Sequence, residues 1–444
     1  MKQVKPCGVD MGYERLPCWY FDDQEERWLP LQQAQPYPAA IAKHPPGQGG
    51  SPSLRIATFN VMYDEWGREH LAHSPLRWRH ALKLLRELDA DFVGLNEVCP
   101  AFQRMLKEED WVQQSYFISD GSERGETLTK PSANLLLSKH PLRDLLAVPL
   151  PQCSRKALVG VCALPLSAEE QPRRICVCST HFTALTWNKA KRQRQMAHLL
   201  TFLEKELPSV LRDNGQQQPH DMFIMGDFNL HKPCEDSIII PTTYADLWST
   251  LRPHEGGYTF DAKVNKMLAE TWPLAFESRR MRLDRIIYRC LRSSPSASFS
   301  EEGRKSITAW QPHSICMFGD RPIFRKNGYD IDNDEEEEEE VQTKEAERRP
   351  LIHSDTDKRD KSSRMLMAAV ACIRWPIRFV VALLAALFDL FRVNLFRRKE
   401  DYLFPSDHFG LVATLSLAPS PAPSSLLSTS ASSSADNKGK KKED

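Results

Sequence analysis

Six short polar stretches stand at the ends of apolar runs: Thr58-Phe59-Asn60, Asn96-Glu97-Val98, Ser179-Thr180-His181-Phe182, Gly226-Asp227-Phe228-Asn229-Leu230, Leu283-Asp284-Arg285 and Ser406-Asp407-His408-Phe409-Gly410. Carboxylates, amides and imidazoles placed at strand ends can be presented by loops over a rigid scaffold. Together they supply the parts of phosphodiester hydrolysis. A hard cation prefers oxygen ligands, and Glu97 is the natural one. Asp227 can orient and deprotonate an attacking water. Asn60, Asn229 and His181 can donate hydrogen bonds to the scissile phosphate. Charge building on five-coordinate phosphorus is best met by a cationic imidazole, His408, whose tautomer Asp284 or Asp407 would hold and whose pKa either would raise. Each stretch alone is weak, since Asp-x-Asn after Gly is commonly a turn and Ser-Asp-His commonly a helix cap. The ordered set carries the reading.

The elements that must position these residues alternate between strand and helix from Leu54 onward. Arg55–Val61 reads as a strand, residues 76–88 as a helix with a stripe at Leu76, Ala81, Leu84, Leu85 and Leu88, and Phe92–Leu95 as a second strand ending at Glu97. Further strands are expected at 133–137, 157–164, 174–180, 222–226 and 283–289, a Lys/Arg/Gln-rich helix at 189–206, and a last strand after His408. Many strands with few helices predict an α/β sandwich of packed sheets. Residues 1–50 read as an accessory segment, with a hairpin across Trp19–Leu29 and a linker at Pro45–Gly50. The Pro/Ser/Ala-rich tail 418–444 is expected to be disordered.

Residues 324–403 interrupt the domain. Asp330–Glu347 holds eleven acidic residues and one Lys, a charge of −10, so with a net charge of +0 the remainder carries +10. A basic body suits an anionic ligand, and ordinary surface lysines offset by an acidic loop would produce the same balance. An apolar stretch follows at 365–396, whose longest uncharged part, Phe379–Phe388, is ten residues, short of the roughly 20 that a spanning helix needs. A single span would also strand Asp407 and His408 across the membrane from the rest of the domain. On a helix, Arg374, Arg378, Asp389 and Arg392 fall within about 60° and leave a wide apolar face, read as a membrane-surface or protein contact or as a helix docked on its own domain. Eleven cysteines with no C-x-x-C pair and no secretory h-region after Met1 predict an intracellular protein, cytoplasmic or nuclear, with membrane association open through 365–396.

Asn in the first strand, Glu after the second, then Gly-Asp-x-Asn, Asp-Arg and Ser-Asp-His in this order resemble the endonuclease/exonuclease/phosphatase superfamily, from about Leu54 to Leu417 without the insert. Gly257-Tyr258-Thr259-Phe260-Asp261 with Asn265, Arg282-Leu283-Asp284-Arg285-Ile286 and Phe404–Leu411 are more similar to the tyrosyl-DNA phosphodiesterase 2-like branch than to the sphingomyelinase or inositol phosphatase branches. The resemblance implies a four-layer α/β sandwich, two packed central β-sheets flanked by helices, and a catalytic Mg²⁺ (or Mn²⁺). By position, Glu97 with Asn60 would hold the metal and Asp227 would be the acid/base carboxylate. Asn60, His181, Asn229 and His408 would contact phosphate, Asp284 would support the imidazole, and Phe260 would stack on a base or shape the groove. Asn96 stands where the superfamily usually has Gln, Met62 where vertebrate enzymes carry Asp, Phe260 in place of Trp, and Leu283 in place of an aromatic. The expectation is a metal-dependent phosphodiesterase of nucleic acid, with DNA 5′-end repair processing as its model. Its rivals are an RNA 3′-end nuclease, a phospholipid or inositol-phosphate phosphatase, and a catalytically inactive binding scaffold.

Overall fold

Successive side chains of one strand enter different cores, and this alternation builds the architecture. Along Arg173–His181, Ile175 and Val177 join one apolar cluster while Cys176 and Cys178 join another. Phe223 and Met225 part from Met222 and Ile224 in the same way. On Ser53–Asn60, Leu54 and Ile56 enter the first cluster, and Ala57 and Phe59 a third. Strands buried on both faces belong to sheets covered on both sides. The shared cluster lies between two sheets, and each outer cluster lies beneath helices, which makes four layers.

The computed structural model describes residues 12–31, 52–63, 73–122, 131–164, 172–214, 217–268, 279–290, 308–325 and 402–419. The chain divides into two units, Met1–Ile323 with Phe404–Asp444, and Phe324–Leu403. In the first unit, the seven-stranded sheet has the order β1 (Glu14–Leu16), β8 (Asp144–Pro149), β9 (Lys156–Leu164), β10 (Arg173–His181), β11 (Asp221–Asp227), β15 (Asp284–Cys290), β12 (Ala245–Asp246). The eight-stranded sheet has the order β16 (Thr308–Phe318), β19 (Gly410–Pro419), β4 (Ser53–Asn60), β5 (Phe92–Val98), β7 (Ala133–Ser138), β6 (Phe117–Ile118), β2 (Trp19–Asp22), β3 (Arg27–Pro30). A small ladder pairs β13 (Phe260–Asp261) with β14 (Arg280–Met281). In the second unit, β17 (Phe324–Arg325) pairs with β18 (Tyr402–Leu403). The acidic run, the 365–396 stretch, the 45–50 linker and residues 420–444 lie outside the described residues. Among the described residues, no helix is long and apolar enough to cross a membrane.

Two parallel pairs sit in the middle of the sheets, β4 beside β5 and β10 beside β11. Their C-terminal ends therefore open on the same side, where loops can meet. The expected hairpin forms as β2 and β3, but the segment does not stand apart. Trp19 pairs with Ile118 at the edge of one sheet, and β1 pairs with β8 at the edge of the other. Cys18 and Tyr20 enter the core between the sheets.

Two helices differ from the sequence reading. On Ser74–Leu88 the buried face is Arg77, Trp78, Ala81, Leu82 and Leu85, rotated from the expected stripe. Trp78, Ala81, Leu82 and Leu85 recur at helical spacing and pack into the outer core, and Arg77 is accommodated beside them because its guanidinium donates to Pro405 O at 3.1 Å and Met62 O at 3.4 Å. The basic helix begins at Lys189 but passes through a wide π-turn at Phe202–Glu206 and continues to Asp213. Pro208 lacks an N–H and crowds the carbonyl four residues back, which opens the helix there.

Candidate active site

Register brings the site together. His181 pairs with Asp227 across parallel strands, and Asp227 with Asp284 across antiparallel ones, so three neighbouring strand ends deliver an imidazole and two carboxylates in a row. On the facing sheet Asn60 pairs with Asn96, and Glu97 is the next residue. His408 stands two residues before the neighbouring β19.

The groups form one hydrogen-bonded network. The Asn60 amide nitrogen donates to Glu97 Oε1 at 3.2 Å and to Asp227 Oδ2 at 3.3 Å. Asp227 Oδ2 also accepts from Asn229 Nδ2 at 3.0 Å, and His181 Nε2 lies 3.3 Å from it. His181 Nε2 is 3.9 Å from Glu97 Oε1. Glu97 Oε2 accepts from the Tyr63 backbone N–H at 2.9 Å. Across the site His408 Nδ1 meets Asp284 Oδ2 at 2.8 Å. Asp407 is buried beside Ser406, whose hydroxyl stands 3.3 Å from its Oδ1. Phe260 is 5% exposed, and the two rings meet edge-on with its centroid 5.5 Å from that of His408. It therefore walls the imidazole and offers no open face to a base.

Burial sets the electrostatics. Enclosure pushes the Asp227 carboxyl up, but the His181 charge and hydrogen bond, His408 and the Asn229 N–H together hold it well below the usual carboxylate range. Enclosure pushes His408 down, and Asp284, Asp407 and Asp227 outweigh it and hold the imidazole well above its ordinary value. Burial also raises Asp284, with His408 opposing. The two shifts favour an ionised Asp227 carboxylate opposite a cationic His408 imidazolium.

Several positioning residues escaped the sequence reading. Asn96, given no role there, bridges the sheets: its Oδ1 accepts the Asp227 N–H at 2.8 Å and its Nδ2 donates to Thr180 O at 3.1 Å and Asn134 Oδ1 at 2.8 Å. Ser406 Oγ donates to Asn60 O at 2.6 Å, and Asn265 Nδ2 donates to Ser406 O at 2.8 Å. Thr259 Oγ1 accepts the backbone N–H groups of Leu283 and Asp284 at 3.1 and 3.0 Å. All four stand inside motifs legible in the sequence, but their partners are remote along the chain, so nothing local marks them as positioning groups. The basic segment 189–194 divides: Arg192 is fully buried on Glu235, while Arg194 is exposed.

The donor chemistry accepts a hard cation. Glu97 keeps 25% of its side chain exposed toward a cleft that Asn134, Arg155, Lys156 and His181 also line, whereas Asp227 and Asp284 are enclosed. Mg²⁺ characteristically takes one or two carboxylates and completes its shell with water and phosphate oxygens. Among the described residues no cage of three or more His, Cys, Asp or Glu side chains forms.

Residues 57–424 match the model of the Endonuclease/Exonuclease/phosphatase family, and the chain belongs to that family. Its two helix-flanked sheets have the corresponding α/β sandwich form. Similar solved structures include D. rerio TDP2 complexed with a single-strand DNA product, at 18% identity over 82% of this chain and 98% of that one, TM-score 0.43. Truncated Caenorhabditis elegans TDP2 is 14% identical over 82% and 97%, TM-score 0.44. The human Nocturnin catalytic domain with bound sulfate is 14% identical over 83% and 94%, TM-score 0.39. No curated protein sequence matches closely enough to count as a relative.

Proposed function

We propose that this chain is a divalent-metal-dependent phosphodiesterase that hydrolyses nucleic acid, processing DNA ends at a 5′ phosphodiester. The observation that carries the reading is the joining of Asn60, Glu97, His181, Asp227 and Asn229, from two separate sheets, into one network facing the His408–Asp284 pair. Glu97, with Asn60 beside it, would hold Mg²⁺ or Mn²⁺, which when bound neutralises phosphate oxygens. Asp227 stays ionised and aligned by two amides, so it can orient a water and accept its proton. Asn229 donates to Asp227 Oδ2 and Phe182 O, and His181 Nε2 stands beside the same carboxylate oxygen; from there they would serve the non-bridging oxygens once phosphate displaces those contacts. His408, cationic and enclosed, meets the charge that builds on phosphorus. A nucleic-acid substrate fits the motif order and the net positive charge outside the acidic run.

Asp227→Asn and His408→Ala should each lower turnover on 5′-phosphotyrosyl DNA by on the order of 10²–10³-fold while leaving the far-ultraviolet circular dichroism unchanged. EDTA should abolish the native activity, and added Mg²⁺ or Mn²⁺ should restore it. Parallel assays on abasic DNA, poly(A) RNA and phosphoinositides distinguish the substrate classes. Retained turnover in both folded variants would refute the assigned roles.

A further inference from the structure

Trp187 is 77% exposed, the most open large apolar side chain among the described residues. It lies six residues beyond His181, so the chain can carry it no further than about 20 Å from that imidazole. Its loop is firmly held. The fully buried Arg192 donates from Nη1 to the carbonyls of Thr183 at 3.0 Å and Leu185 at 2.7 Å. Through Nε and Nη2 it grips Glu235 at 3.1 and 2.7 Å. Gln195 accepts the Thr183 N–H at 3.0 Å, and Asn188 Nδ2 donates to Ala184 O at 2.7 Å. Leu185 is kept at φ 78°, a conformation that branched side chains disfavour. A buried ion pair and a strained backbone therefore hold an indole out in water, against the hydrophobic effect. Exposure of one apolar ring is ordinary; what sets this one apart is the buried framework that holds its loop beside the strand end bearing His181. Trp187 sits on a short turn, Thr186–Asn188, that leads directly into the helix Lys189–Thr201, whose opening carries Lys191, partly exposed, and Arg194, exposed. The first turn of their helix contains no acidic residue.

An open aromatic face beside a row of cations suits a single nucleic-acid strand, whose bases stack while its phosphates are tracked. We propose that Trp187 is a stacking platform for an unpaired base of the substrate, with Lys191 and Arg194 following that strand's phosphates. The inference rests on the nucleic-acid reading above and deepens it: the strand leading to the scissile phosphate is recognised unpaired, and Trp187 is a specificity-determining contact.

The test is fluorescence anisotropy of a labelled single-stranded oligothymidylate with the full chain in EDTA, where no turnover occurs. Trp187→Ala should weaken binding about tenfold and Trp187→Phe by no more than about threefold. A strand of equal length built from abasic sugars should bind the native chain and Trp187→Ala alike. Equal affinity of native and Ala chains for the base-bearing strand overturns the platform, and so does an equal loss on the abasic strand. Binding to phosphatidylserine vesicles that falls in Trp187→Ala while oligonucleotide affinity holds would assign the ring to a lipid surface and also overturn it. Hydrolysis of bis(p-nitrophenyl) phosphate, which carries no base, separates the two failures. An inactive native chain refutes the phosphodiesterase, and an active one with Trp187→Ala unaltered on strands refutes the platform alone.

Discussion

Met62, Glu97 and Asn229 hold left-handed backbone at φ 56°, 61° and 52° without being glycine. Such conformations cost on the order of 1–3 kcal/mol each and persist where surrounding bonds over-determine them. Here those bonds are visible: Met62 N–H donates to Asn60 Oδ1 at 3.0 Å, Tyr63 N–H to Glu97 Oε2 at 2.9 Å, and Asn229 N–H to Asp227 Oδ1 at 2.8 Å. Strain is spent on aiming side chains into one point. The same scale fixes the pH response. His408 is raised above 6.5 by its carboxylate neighbours, so the stability its charge contributes is fully present below pH 6.5 and is lost as pH rises through the folded value. Asp227 is depressed below 3.8, and its contribution is present above that pH and is lost as pH falls through its folded value. Asp284→Asn removes the largest support of the imidazolium, so the basic limb of the kcat/KM profile should move to lower pH. A limb that stays in place would show that Asp284 does not hold the proton on His408.

Strand ends, at the next scale, depend on one close backbone approach that leaves no room for a side chain. Gly226 sits at φ 135°, where an added Cβ would meet the Thr180 carbonyl oxygen at 1.9 Å. Gly226→Ala must therefore push β11 from β10 and separate Asp227 from His181. It should lower kcat/KM by about 10²-fold and stability by on the order of 3 kcal/mol, read by steady-state kinetics and urea unfolding. Native values for both would mean that the strands tolerate the shift. The basic helix is anchored to Pro233–Ile239 by Arg192 and Glu235, which are 0% and 1% exposed. Removing one partner of a buried pair leaves an uncompensated charge. Glu235→Ala should cost roughly 3–5 kcal/mol in denaturant, with Arg192→Met/Glu235→Met together costing less. A double variant worse than the single would contradict that account of the pair.

Across the whole molecule, the N-terminal strands close both sheet edges. Deleting residues 1–51 would bare β8 and β6 and open the core around Cys18 and Tyr20. Unpaired edges template association. The shortened chain should melt several degrees lower, at roughly 2–4 °C for each kcal/mol lost, and should aggregate in light scattering. A monodisperse truncation with native melting would show that the edges need no cover. Removing residues 365–396 tests the apolar stretch separately: if it contacts membranes, binding to anionic liposomes should disappear with it.

Periodicity alone located most of the central strands, because a buried strand writes its two-residue alternation into consecutive positions, as Ile175, Cys176, Val177 and Cys178 do. The polar motifs at the ends of those strands were legible for the same local reason, and their order named the family. Asn96, Thr259, Asn265 and Ser406 were not legible as positioning groups, since each acts through a partner that only sheet packing brings near. Nor did charge pattern separate Arg192 from Arg194: both are basic helix residues, and burial against Glu235 was decided by a helix more than forty positions away. Local sequence determined which residues could do chemistry. The facing of two sheets determined where they meet, because hydrogen bonds and ion pairs depend on distance in space and the chain records only distance along itself.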